Sequence, residues 1–142
     1  MHTYYFSEIQ IGQKASFQRT ITAEMETAFR MISGDENPLH QDDAFAREVS
    51  KGAFAGHAAF GMLTASLYST MAGMYLPGTY SLIHSFQELS FLKPVFVGDV
   101  LNVEGEVVDK VESLNLICLK VTIRNQQNQR VSRARMKVLV LK

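Results

Sequence analysis

Gly61-Met62-Leu63-Thr64-Ala65-Ser66-Leu67-Tyr68-Ser69-Thr70-Met71-Ala72-Gly73-Met74-Tyr75 is the stretch that decides the fold. No charged residue occurs in it, and its side chains are apolar or small nearly all the way round a helix. A helix of that kind is buried on most sides rather than lying on a surface. Pro77-Gly78 ends it. Whatever buries this helix must come from the rest of the chain.

The cover is supplied downstream. Leu101, Val103, Gly105 and Val107 alternate with polar Asn102, Glu104 and Glu106, the period of a half-buried strand. Leu114, Leu116, Cys118, Leu119, Val121 and Ile123 read as a second, more buried strand. The polar run Arg124 to Gln129 is a turn of hairpin length. Val131 to Leu141 reads as a third strand, with Ala134, Met136, Val138 and Val140 on one face. Tyr80 to Phe91 is a strand ended by Lys93-Pro94, and Val97-Gly98-Asp99 turns the chain into the next one. One apolar helix with four or five antiparallel strands predicts an α+β domain whose curved sheet wraps around the helix. Sheet edges and one helix flank are left for a second copy to cover.

Upstream, the regular parts read as helical. Thr22 is a good N-cap, Glu24 and Glu26 sit near the positive helix end, and Met25, Phe29 and Ile32 recur at helical spacing until Gly34. No repeat, low-complexity tract or long linker divides the chain, so residues 1–142 read as one domain.

Composition narrows the function. Lys plus Arg equals Asp plus Glu at fourteen each, so net charge is zero and no basic stripe invites nucleic acid or an anionic membrane. No apolar run is long enough to span a bilayer, and the first residues lack the pattern of a signal peptide. The single Cys118 cannot form an internal disulfide, which fits a cytoplasmic protein. No metal-ligand spacing, phosphate loop or Gly-x-Ser-x-Gly elbow occurs. Metal, nucleotide cofactor and serine-hydrolase chemistry are therefore not expected.

The chemistry lies in Ser33-Gly34-Asp35-Glu36-Asn37-Pro38-Leu39-His40. A carboxylate and an imidazole stand five residues apart across a turn. Gly34 permits positive φ, and Asn37-Pro38 biases the backbone away from the α region. The side chains of Asp35 and His40 can converge and act as an acid–base pair. The blander reading has Asp35 capping a turn and His40 starting a short helix through Asp42-Asp43-Ala44-Phe45. Apolar neighbours would raise the pKa of Asp35 and make it a better base. Gly61 opens the buried helix, where free N–H groups and the helix dipole can stabilise an enolate oxygen. It serves equally well for close packing against a strand. Ser66 and Ser69 share one helix face and need partners if buried. His57 and His84 read as structural or exposed.

Three segments resemble the MaoC-like, R-specific enoyl-CoA hydratases (hydratase 2): Phe29 to His40, Gly61 to Ser69, and Leu89 to Asp99. The likeness runs in order from about residue 10 onward. It implies a hot-dog fold, a homodimer or a higher oligomer with sites near the interface, and acyl thioesters of coenzyme A or acyl carrier protein as substrates. It implies Asp35 and His40 as the catalytic pair and the Gly61 N–H as binder of the thioester oxygen. Ser69, Asn37 and Phe60 are placed around the substrate. The expected reaction is reversible syn addition of water to a trans-2-enoyl thioester, giving an R-3-hydroxyacyl thioester, with no cofactor. A hot-dog thioesterase and a non-catalytic acyl-thioester-binding protein are the alternatives. The sequence departs from the family at Phe60, where relatives carry histidine, and at His57, where an arginine tends to lie. Phenylalanine cannot donate a hydrogen bond, which points to an altered acyl group.

Overall fold

The computed structural model describes residues 1–142. Five strands form one antiparallel sheet: β1 (Lys14–Thr20), β2 (Ser81–Phe91), β3 (Val100–Val111), β4 (Leu116–Arg124) and β5 (Arg130–Val140). Their order is β1-β3-β4-β5-β2, so β1 and β2 are the two edges. The expected alternation holds. Leu101, Val103, Val107, Leu119, Val121, Ile123, Met136 and Val138 are fully buried on the face that meets the helix. Register shifts at Ile83/Ser85 and Phe86/Glu88 in β2, and at Val107/Asp109 in β3, bend the strands as bulges do.

β1 corrects the expectation that the regular parts of the first half are helical. It pairs with β3 from Lys14↔Glu106 to Thr20↔Val100. Only Ala15 and Phe17 pack on the core. That is what an edge strand with one solvated face requires, and it leaves too few apolar residues for the alternation to show.

Three α-helices follow the expected signals. α1 (Ala23–Ser33) starts where the Met25 N–H donates to Thr22 Oγ1, and it ends at Gly34, φ 70°. α2 (Asp43–Val49) is capped by Asp42, which accepts from the N–H groups of Ala44 and Phe45. His40 lies in a separate 3-10 turn, Pro38–His40, and does not start that helix. α3 (Gly61–Thr70) continues as a π-helical turn over Met71–Tyr75, so the apolar stretch is one rod with a widened last turn.

α3 is held by contacts that reach far along the chain. Tyr68 is fully buried, and its hydroxyl lies 2.6 Å from Ser132 Oγ. Ser132 Oγ donates to the Ser90 carbonyl at 2.8 Å, so the shared proton comes from Tyr68. That relay ties α3 to β5 and β2. Burial pushes the Tyr68 phenol up to about 12. Below it, a Cβ at Gly105 would come within 2.8 Å of Met71 Sδ. The absent side chain lets β3 and the end of α3 approach. One flank of the helix stays open, as expected: Met62 is 58% exposed, and Ser66 and Ser69 are exposed too.

Candidate active site

The loop between α1 and α2 is built from short-range hydrogen bonds. The Asp35 N–H donates to Ser33 Oγ at 3.2 Å. The Asn37 N–H donates to Asp35 Oδ1 at 3.0 Å, and the Leu39 N–H donates to Asn37 Oδ1 at 3.0 Å. Side chains that bond the backbone two residues on form turns of their own, without help from the core. Asp35 is exposed, so the apolar surround expected for it is absent from a single chain. Asn37 spends its oxygen on capping the 3-10 turn.

His40 is half-buried. Its Nδ1 lies 2.7 Å from the Ala58 carbonyl, which can only accept, so Nδ1 carries the proton. The neutral ring therefore presents Nε2 as an acceptor, the form a general base needs. The Phe60 ring packs against this imidazole with centroids 4.3 Å apart and planes tilted by 33°, and against Phe29 at 5.2 Å and 44°. Phe60 is 2% exposed and immediately precedes Gly61, so one residue links the His40 ring to the start of α3.

Two cavities flank that link. One, of about 240 Å³, is lined by Glu26, Arg30, His40, Gln41, His57 and Phe60. The other, of about 270 Å³, is mostly apolar and includes Gly61, Thr64, Phe91, Val95 and Val131. Asp35 lines neither, and no hydrogen bond joins it to His40 in one chain. Ser69 is exposed with no side-chain hydrogen bond to Asp35 or His40. Ser66 Oγ donates to the Leu63 carbonyl of its own helix at 2.6 Å. Neither serine is the buried hydroxyl that the apolar helix suggested.

His57 behaves as a structural histidine. Its Nδ1 is 2.6 Å from Asp43 Oδ1, which also accepts the His57 N–H at 2.9 Å. These bonds, the backbone one first, hold the Asp43 carboxyl below the usual carboxylate range. His84 is exposed and meets only Ser85 Oγ.

Glu26 is the residue whose environment the sequence did not disclose. The sequence places it with Glu24 near the positive end of α1 and gives no sign that it is buried. It is instead 7% exposed and accepts the Phe60 N–H at 3.3 Å. Ile32, expected on the buried stripe with Met25 and Phe29, is 82% exposed, so the buried face of α1 is rotated toward Glu26. Burial raises the Glu26 pKa, opposed by the Phe60 hydrogen bond and by attraction to His57 and His40.

An antiparallel sheet laid on an apolar helix, with an Asp and His loop beside the helix start, defines a hot-dog domain equipped for acid–base chemistry. The MaoC like domain model matches residues 7–129. The chain is 42% identical over 118 residues to an (R)-specific enoyl-CoA hydratase of Aeromonas caviae, covering 83% of this chain and 85% of that one. It is 31% identical over 111 residues to a 3-hydroxybutyryl-CoA dehydratase of Methylorubrum extorquens, covering 78% and 68%. Among solved structures it superposes on the R-hydratase PhaJ1 of Pseudomonas aeruginosa with a TM-score of 0.87 at 30% identity, covering 97% and 86%. The (R)-hydratase of A. caviae gives 0.85 at 36% identity, covering 93% and 97%. The chain belongs to the MaoC-like family.

Proposed function

We propose that this protein is a hydro-lyase that adds water reversibly to trans-2-enoyl thioesters, giving R-3-hydroxyacyl thioesters. The observation that carries the reading is His40. Its Nδ1–H is committed to the Ala58 carbonyl, and its Nε2 is left free on a residue five positions after Asp35 in the same loop. The names of the A. caviae and M. extorquens relatives favour coenzyme A as the carrier.

In the proposed mechanism Asp35 and His40 hold one water between them. His40 Nε2 takes one proton as the water oxygen bonds to C3 and then returns it to C2 on the same face, while the Asp35 carboxylate accepts a hydrogen bond from the other hydrogen of the water. Both groups act on the same water, so the activity belongs to the pair. The N–H of Gly61 receives the enolate oxygen. A donor of this kind is worth about 3–4 kcal/mol in the transition state. Asp35 and Ser69 are exposed and Gly61 opens on a different cavity from His40, which supports a homodimer that closes the site. No cofactor takes part. No helix is long and apolar enough to cross a membrane, and Cys118 is free, which fits work in the cytoplasm.

Crotonyl-CoA tests the reading. Its enoyl-thioester absorbance should fall on adding the protein, without release of free thiol, and the product should be the R isomer. Asp35→Asn and His40→Ala should each lower kcat/KM by about 10²–10⁴-fold. Thiol release would indicate a thioesterase instead. Tight binding with no turnover would indicate a binding protein.

A further inference from the structure

Glu26 is a carboxylate for which folding has no use. A buried Glu ordinarily meets a cation or several hydrogen bonds. Glu26 has one: Oε1 accepts the Phe60 N–H, while Oε2 is sealed from solvent with no partner. Arg30, one turn further along α1, is turned to Gln41 and Glu36 instead. An apolar side chain would fill the site without that cost, so the carboxylate is a candidate for a functional role.

The cavity that Glu26 lines contains two histidines. His57 already has a carboxylate partner in Asp43. His40 has none: the only hydrogen bond of its ring goes to a neutral carbonyl. We propose that Glu26 is a positioning residue for His40. Its bond to the Phe60 N–H holds the backbone of the residue whose ring packs against the imidazole. Its unpaired oxygen supplies the negative charge that favours the imidazolium when His40 holds a proton. The other charged groups around the cavity are Arg30, which opposes this effect and is itself offset by Glu36, and Asp43, which acts through His57. The proposal rests on the hydratase reading for the purpose of that proton. The effect on His40 itself is independent of it.

Titration of the four histidine ring signals by NMR in wild type, Glu26→Gln and Glu26→Leu is the test. Glutamine keeps the size and the acceptor for Phe60 while removing the charge. A nearby carboxylate favours the imidazolium, so in Glu26→Gln the His40 ring signals should move to a lower midpoint pH than in wild type. His2 and His84 should not move, and His57 should move less. With crotonyl-CoA, the limb of the pH–rate profile set by His40 should shift in the same direction, with KM unchanged. An unshifted His40 signal in Glu26→Gln overturns the inference, whether or not Glu26→Leu folds. If wild type hydrates no enoyl thioester, the functional reading fails, and the His40 titration alone still decides the role of Glu26.

Discussion

The loop from Ser33 to His40 and helix α3 lie side by side and are held in opposite ways. The loop is largely exposed and tied by side chains bonding the backbone two residues on, with Ala58 as its one distant partner: the Ala58 carbonyl accepts from His40 Nδ1 and the Ala58 N–H donates to the Leu39 carbonyl. α3 is buried and tied by the Tyr68–Ser132–Ser90 relay and by the close approach of Met71 to Gly105. The loop therefore carries its shape within its own eight residues, while the helix borrows its position from strands up to sixty-four residues away. Chemistry placed on the first and rigidity on the second is the division expected when a scaffold presents a reactive loop.

That division can be broken by substitution. The largest effect belongs to the loop. Asp35→Asn and His40→Ala, beyond their loss of activity, should leave the thermal midpoint within about 2 °C of wild type. Unfolding of either would show that the loop is part of the framework. Gly105→Ala should do the reverse. A Cβ 2.8 Å from Met71 Sδ forces the layers or the methionine to shift. The expected cost is about 1–3 kcal/mol of stability in a denaturant melt, with kcat per folded molecule unchanged. A smaller effect of opposite sign is expected at Thr64, which is 2% exposed with an unpartnered hydroxyl. Thr64→Val should stabilise the fold by about 1 kcal/mol, read as a higher urea midpoint.

The smallest effect depends on pH. The Glu26 pKa is raised on folding, so the unfolded chain ionises first as pH rises and wild type loses stability across that window. Below both pKa values the cost vanishes. Glu26→Gln should melt with wild type at about pH 4 and above it near neutrality, because glutamine never ionises. A gap of constant size across that range would mean that the buried carboxylate is not what limits stability.

Much of this was legible in the sequence. α3 declared itself by lacking any charge, and β3, β4 and β5 by alternation that matches their buried faces. The Asp35 turn could be read because its hydrogen bonds are local. What escaped was what depends on packing at a distance. β1 buries only parts of Ala15 and Phe17, so its identity comes from its partner β3 rather than from its own pattern. Glu26 had an adequate local explanation as an acidic first-turn residue. Its true environment exists only once α1 meets the start of α3. Which flank of α3 stays open was not legible for a related reason: Ser66 and Ser69 sit on it, and Ser66 bonds only a carbonyl of its own helix.

The strand order has a consequence for how the molecule is made. The central hairpins β3-β4-β5 come from residues 100–140, each strand joined to the next in sequence. The edge strands β1 and β2 must wait for partners that lie far later in the chain, β1 for β3 and β2 for β5. The site loop and α3 lie in sequence between those two edges. During synthesis the residues that do the chemistry emerge early, yet the surface that buries α3 is completed by the last strand made. Contacts this distant in sequence are slow to form, and the apolar helix is exposed to wrong partners in the interval. Val131, at the start of β5, lines the cavity that Gly61 opens on, so one wall of the site also waits for that last strand.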